Sequence, residues 1–345
     1  MWRRVVAAGV VAVGCLAAGA SAQAQGLSLD AVNGADLKNG AASGKKASRR
    51  GPDPVMIKAE VLLDRARFSP GVIDGRNGDN VKKAVAAFQR ANGLKDSGRL
   101  DDETWAKLTQ ASNEPAVTEY AITDEDTKGP FAEKIPSKME DQAKLDRLAY
   151  TSPREALAER FHMDEDLLTA LNPGKAFDKT GESIMIANVE NARPKESKGD
   201  VGRIEVDKTA HELRALDKDG KLIGVYPASI GSTEKPAPDG EYEVEAVAQN
   251  PTYTYNPEYK FKGVKADKKF TIKPGPNNPV GAVWIALSKE GYGIHGTPEP
   301  DKVGKTYSHG CVRLTNWDAK DLAGMVAKGT KVAFVGSQPA KQAKR

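Results

Sequence analysis

From residue 201 to residue 335 the chain runs in short alternating and β-branched segments cut by Gly, Pro and Asp. That period restricts the C-terminal block to a mainly-β fold. Residues 204–207, 212–216, 222–226, 242–244, 270–272 and 283–287 read as strands. Asp217-Lys218-Asp219-Gly220 is a hairpin turn, since Asp hydrogen-bonds locally and Gly accepts positive φ. One helix is expected over 316–327, with Leu322, Met325 and Val326 on its apolar side; Gly329 ends it and 331–335 returns to strand. Many short strands with Gly/Pro turns predict a β-sandwich or partly closed barrel.

The remainder of the chain divides by composition. Residues 23–52 are rich in Gly, Ala, Ser and Lys, and they read as a disordered linker because they carry too little apolar surface to order themselves. Residues 110–143 mix acidic residues with Pro115, Pro130 and Pro136 and read as a second linker. A short third lies at 193–199, and 336–345 is a polar, disordered tail. Between them, residues 53–109 carry Ile57, Val61 and Leu62, then Val81, Val85 and Phe88, at helical spacing. Asn92-Gly93 stops the second helix, and Asp101 or Asp102 caps a third through Trp105 and Leu108. Residues 144–189 form a smaller α+β block: short helices over 155–161 and 164–171, a break at Asn172-Pro173-Gly174, and a strand over 183–186. The prediction is a multidomain chain of all-α, α+β and mainly-β units.

Compartment and charge narrow the function. Trp2-Arg3-Arg4, an apolar run over 5–20 and Ala20-Ser21-Ala22 predict a signal peptide over 1–22 and export to the periplasm. Lipidation at Cys15 is the rival, and it lacks the leucine usual three residues earlier. The run is too short and Gly/Ala-rich for stable membrane insertion, which needs about 20 strongly apolar residues. A formal charge of +4, with basic and acidic residues interleaved, gives no nucleic-acid stripe.

After processing, one cysteine remains. Cys311 sits in Ser308-His309-Gly310-Cys311-Val312-Arg313-Leu314, downstream of Gly293-Ile294-His295-Gly296-Thr297. A leftover thiol in an exported protein points to a reactive group. An imidazole that takes its proton makes it a nucleophile. Glycine at 310 leaves room for a carbonyl substrate, and the backbone N–H groups there suit an oxyanion. Pairing of the strand ending at His295 with the segment 308–314 would bring base and nucleophile together. A zinc site from His295, His309 and Cys311 has no His-x-x-x-His or Cys-x-x-Cys support. No metal and no cofactor are called for. His162 and His211 read as packing residues.

Residues 201–335 resemble an L,D-transpeptidase catalytic domain of the YkuD type. The resemblance rests on Ser229-Ile230-Gly231, Pro238-x-Gly240-x-Tyr242, Gly293-Ile294-His295-Gly296-Thr297 and the segment 308–314. It implies Cys311 as nucleophile, His295 as base, and Gly296 orienting the imidazole through its carbonyl. Gly310 would supply an oxyanion N–H, with Ser308, His309 and Arg313 binding substrate. The implied reaction joins peptidoglycan stem peptides through a thioester into 3→3 cross-links, or attaches an envelope protein amine to the wall. A cysteine L,D-carboxypeptidase and a non-catalytic wall-binding protein are the alternatives. Residues 53–109 resemble a peptidoglycan-binding type 1 module through Gly71-Val72-Ile73-Asp74-Gly75, Phe88-Gln89-Arg90-Ala91-Asn92-Gly93-Leu94 and Asp101-Asp102-Glu103-Thr104-Trp105. As a tethered binding unit it is expected to be separable from the chemistry. Residues 144–189 are similar to a divergent LysM module, through Leu168, Leu171-Asn172-Pro173 and Ile184-x-Ile186.

Overall fold

A computed structural model of the chain describes residues 27–38, 51–190, 195, 197–259, 264, 266–308 and 310–337. The expected signal peptide, Cys15, residues 23–26 and 39–50 of the first linker, residues 193, 194 and 196 of the third, His309 and the tail from 338 lie outside the described residues. The N-terminal helices are α1 (Leu29–Asn33), α2 (Pro54–Arg65), α3 (Asp79–Ala91) and α4 (Asp102–Gln110). Asp53 caps α2 and Asp101 caps α4 by accepting backbone N–H bonds, each worth ~1 kcal/mol. Asn92 and a left-handed Gly93 end α3, as the sequence predicts.

The Phe88-Gln89 pair divides labour by helix face. Phe88 is buried edge-on to Phe68 at 5.5 Å. The Gln89 amide, fully buried, donates to Arg99 O and Thr104 Oγ1 and accepts from Gly98 N–H, fastening the loop before α4. Buried Glu60 accepts the N–H groups of Asp74, Gly75 and Arg76, which shapes the Asp-Gly turn.

Two stretches expected as linkers are structured. Within 23–52, α1 buries Val32 completely, and the Asn33 side chain exchanges two hydrogen bonds with the backbone of Val117. A few apolar residues suffice there because the partner surface already exists. Within 110–143, β1 (Val117–Ala121) pairs antiparallel with β2 (Ser183–Ala187), followed by α5 (Asp124–Lys128), with a capping box from Thr123 and Asp126, and by α6 (Met139–Gln142). The strand is masked in sequence because it is short and polar, with Thr118 and exposed Glu119 at adjacent positions on opposite faces. α7 (Pro153–Arg160) and α8 (Glu165–Leu171) pack on this two-stranded sheet around Leu157, Leu167, Leu168, Ile184 and Ile186. His162, between them, stacks on Trp317 at 5.1 Å and bonds Asp64 through Nδ1 at 3.0 Å, a packing role as expected.

The C-terminal block is mainly β, as predicted. Its strands are β3 (Arg203–Asp207), β4 (Glu212–Leu216), β5 (Leu222–Pro227), β6 (Ser229–Ile230), β7 (Gly240–Gln249), β8 (Tyr253–Tyr255), β9 (Phe270–Ile272), β10 (Val283–Leu287), β11 (Gly293–His295), β12 (Val312–Arg313) and, after α9 (Asn316–Met325), β13 (Lys331–Val335). Among the described residues nine of them form one sheet in the order β5-β4-β3-β13-β7-β10-β11-β12-β6, and β8 pairs with β9 alone. β5 and β6 lie at opposite ends of that order, yet only Ala228 separates them in the chain. The sheet therefore curls almost fully on itself: of the two forms expected, it is the partly closed barrel. Its interior holds Ile204, Val206, Leu213, Tyr226, Ile285, Ile294 and Val312, with Leu322 and Met325 of α9.

The three blocks are joined and not strung on linkers. Backbone bonds from Ser69 to Val225 (2.8 Å) and from Val225 to Arg67 (2.7 Å) extend the sheet beyond β5, covering an edge that would otherwise be open. Buried Arg67 pairs with Asp321 at 3.2 Å, and Ser69 donates to Asp318 at 2.9 Å. On the other side Ile73 bridges Met163, and Arg65 donates to the carbonyls of Asn188, Glu114 and Pro115. The helical block, expected as a tethered unit, packs on both neighbours through the loop between α2 and α3: Ile73 lies in the core of the middle block, and Phe68 packs with Val225 of β5. At the other end of the chain, Ser337 N–H donates to Thr209 Oγ1, so the first two residues of the expected tail are held.

Candidate active site

The end of β11 and the start of β12 run side by side. They pair in parallel with Ile294 opposite Val312 and His295 opposite Arg313, and Leu314 N–H donates to His295 O at 2.8 Å. Cys311 stands immediately before β12, two residues before Arg313. Strand alternation assigns it the face shared by Arg313 and His295. The strand pairing expected from sequence is present, with the strands parallel. On the other flank Trp284 of β10 lies opposite His295, their rings stacked at 5.5 Å and 19°.

The imidazole is fixed in one tautomer. Its Nδ1 lies 2.7 Å from Gly296 O. A carbonyl only accepts, so Nδ1 carries the proton and Nε2 keeps its lone pair. Burial, together with the Arg313 cation, lowers the His295 pKa to about 3, opposed by the bond to Gly296. Cys311 is free and half-buried, with Sγ 3.7 Å from Gly291 O. Burial pushes its thiol up, while the Gly293 N–H and Arg313 pull it down. The resting pair is therefore a neutral thiol and a neutral base, with one guanidinium acting on both. Such a pair can transfer a proton as an electrophile arrives.

The turn carrying Cys311 is braced from within. Ser308 is 3% exposed. Its N–H donates to Gly231 O, and its hydroxyl donates to Cys311 O at 2.5 Å and accepts Gly310 N–H at 3.2 Å. Expected to bind substrate, Ser308 instead spends its hydrogen bonds on the geometry of the turn. The Gly310 N–H, expected to face an oxyanion, is engaged by that hydroxyl. Gly310 has φ +111°, and a Cβ there would meet the Tyr292 ring at 3.2 Å, so glycine is required. Arg313 is largely buried, and its Nε has no hydrogen-bond partner among the described residues. Burial lowers its pKa, opposed by Glu299 and Cys311. A buried donor without a partner suits a substrate carboxylate. The zinc alternative depends partly on His309, outside the described residues.

Two contributors escaped the sequence reading. Trp284 reads as one more strand residue, and Asn316 as the first residue of a helix; only the register places the first beside His295 and only the fold places the second behind Gly296. A separate cleft of about 560 Å3, bordered by Arg147, Tyr150, Trp317 and Lys320, opens between α9 and the middle block; neither Cys311 nor His295 lines it.

Comparison with known proteins matches residues 201–333 to the YkuD L,D-transpeptidase catalytic domain and residues 53–108 to a peptidoglycan binding domain. A Bacillus licheniformis protein named as the L,D-transpeptidase YkuD is 30% identical over 182 residues, 52% of this chain and 92% of that protein. A Bacillus subtilis protein named as the L,D-transpeptidase YqjB is 37% identical over 133 residues, 37% of this chain and 67% of its own. The Escherichia coli protein named as the L,D-transpeptidase ErfK/SrfK is 29% identical over 196 residues, covering 55% of this chain and 61% of that protein.

Proposed function

The chain belongs to the YkuD family of L,D-transpeptidases, and on that basis we propose that it forms 3→3 cross-links between peptidoglycan stem peptides through a thioester on Cys311. Cysteine-dependent acyl transfer on peptidoglycan is the chemistry of the family. In the reading offered here, the Cys311 proton passes to His295 Nε2 as Sγ attacks the carbonyl of the L-centre of diaminopimelate in a tetrapeptide donor. The C–N bond breaks, and His295 returns the proton to the departing D-Ala amine. The amine of a second stem then attacks the thioester, losing its proton to His295, and Cys311 leaves as the thiol.

The observation that supports this most is the His295 ring, held with Nδ1–H on Gly296 O beside a free cysteine. A ring in that tautomer can only accept at Nε2. The low pKa of the resting imidazole comes first from burial and then from Arg313; it is countered during the step by the thiolate, which forms together with the imidazolium and stabilises it. The Gly310 N–H is the donor that a tetrahedral oxyanion would take over from Ser308. Arg313 would hold a stem carboxylate with its unpartnered Nε.

The match of residues 53–108 to a peptidoglycan binding domain supports attachment to the wall. The pairing of β1 with β2 around α7 and α8 supports a LysM-like middle unit in contact with glycan, with α5 and α6 inserted after a first strand drawn from the segment read as a linker. No helix among the described residues is long and apolar enough to cross a membrane. A periplasmic location rests on the leader expected at 1–22.

Mass spectrometry of muropeptides after incubation with the protein tests the reading. Dimers cross-linked between two third-position residues are expected. Stems shortened by one residue with no dimers would assign an L,D-carboxypeptidase, and dimers formed equally by Cys311→Ser would remove the nucleophile.

A further inference from the structure

The imidazole that activates Cys311 is held by a carbonyl, and that carbonyl is itself held from behind. Gly281, with φ +64°, packs so tightly on the Gly296–Thr297 peptide that a Cβ at 281 would stand 2.5 Å from both the Gly296 carbonyl carbon and the Thr297 nitrogen. The Asn316 side-chain oxygen fills the remaining space, since a Cβ at either Gly281 or Gly296 would collide with Oδ1. Asn316 is fully buried, and its amide is saturated: Oδ1 accepts Ala282 N–H at 2.9 Å, and Nδ2 donates to Pro276 O at 3.2 Å.

The remaining partner of that amide comes from another block. Nδ2 also donates to both carboxylate oxygens of Glu159, at 3.1 and 3.0 Å, and Glu159 is in α7 of the middle block, 157 residues away in sequence. The Tyr150 hydroxyl donates to the same carboxylate at 2.7 Å. The loop leading to Gly281 is tied to the middle block as well. Leu148 N–H donates to Pro274 O at 3.0 Å, Asn277 N–H donates to Leu148 O at 2.9 Å, and the Asn277 amide donates to Glu155 at 2.7 Å.

We propose that Glu159, acting through Asn316, is a positioning residue for His295, so that the middle block supplies part of the active site's rear wall. A buried amide with two acceptors on one side and a glycine backbone on the other has a single low-energy placement. Removing the carboxylate leaves Nδ2 short of partners and frees the amide to turn. The Gly296 carbonyl then loses the surface it rests on, and the Nδ1 bond that fixes the tautomer loosens. Glu159 touches neither substrate nor thiol; its effect reaches the reaction only as the fraction of time that Nε2 faces Cys311.

This inference rests on the reading of His295 as the base for Cys311, and the test separates the two. The full chain is used, with iodoacetamide alkylation of Cys311 followed across pH 5–10 and D-Ala release from a tetrapeptide donor measured in parallel. His295→Ala should slow alkylation at neutral pH; if it leaves the pH curve unchanged, the base assignment itself fails. Given that result, Glu159→Ala should move the curve toward that of His295→Ala and lower kcat at least tenfold with KM nearly constant. Glu159→Gln, which retains an oxygen acceptor for Nδ2, should recover most of the rate. Ser69→Ala, which breaks a buried bond to Asp318 between blocks but lies outside this chain of contacts, controls for general loosening. A folded Glu159→Ala protein with the parental curve and kcat overturns the proposal. So does a Ser69→Ala protein whose curve moves as far. Should Glu159→Ala fail to fold, Tyr150→Phe removes one bond to the carboxylate and keeps the ring; a shift in the same direction supports the proposal and a parental curve refutes it.

Discussion

Substituting Gly296 by alanine adds one methyl group where the fold has no room for it. The new Cβ would lie 3.1 Å from Asn316 Cγ and 3.2 Å from its Cα, and nearer still to Oδ1. A flexible surface side chain would step aside, but this one is fully buried and bonded to Ala282, Pro276 and Glu159. Either the amide moves, leaving buried donors and acceptors unpaired at about 1–3 kcal/mol, or residue 296 retreats and the 2.7 Å bond to His295 Nδ1 is lost. Overpacking adds about 1–3 kcal/mol. The sum is a destabilisation of about 2–6 kcal/mol, read from the denaturant midpoint at constant slope, together with a loss of D-Ala release. Gly329→Ala is the control: Gly329 has a positive φ (+87°), which Gly296 lacks, and nothing within 4 Å, so its substitution carries backbone strain alone, about 1–2 kcal/mol. Equal stability of the two variants, with unchanged turnover in Gly296→Ala, would refute the packing argument.

Arg313 lowers the pKa of both His295 and Cys311, because a cation disfavours imidazolium and favours thiolate. Arg313→Met should therefore raise both: the alkylation curve of Cys311 moves to higher pH, and the His295 ring resonance titrates at higher pH than in the parent. A curve that moves to lower pH would contradict the placement of the guanidinium. With His295 held near 3, the parental curve should show no imidazole inflection between pH 5 and 8. Deleting residues 53–109 removes Arg67 from Asp321, Ser69 from Asp318 and the strand cover of β5. The truncated chain should lose its cooperative unfolding transition and its activity on small soluble stems; a folded, active truncation would show that the helical block is only tethered.

The barrel and its helix were legible because strand alternation and glycine-marked turns are local signals, and the pairing of β11 with the Cys311 segment followed from where two glycine-flanked motifs sit. What stayed hidden depends on contacts made at a distance. β1 is five residues long with Thr118 and Glu119 at its centre, so it looks like a linker until β2 pairs along its edge. The order in α1 comes from a surface that α2 and β1 provide. Glu159 lies in a helix whose neighbours are Arg, Ala and Leu, and nothing in that string marks a carboxylate destined to bond Asn316. Ser308 illustrates the converse: the motif singles it out for substrate binding, but only the hydrogen bonds show that it supports the turn from inside.

The central claim is that Cys311 carries the acyl group. Intact-protein mass spectrometry within the first turnovers on a tetrapeptide donor, without an acceptor amine, tests it most directly. The account predicts one added mass per chain equal to the donor less D-Ala, located by proteolysis to the fragment containing Cys311, lost on addition of a stem amine and absent in Cys311→Ser. Turnover with no adduct on Cys311, or an adduct that persists in Cys311→Ser, would contradict it.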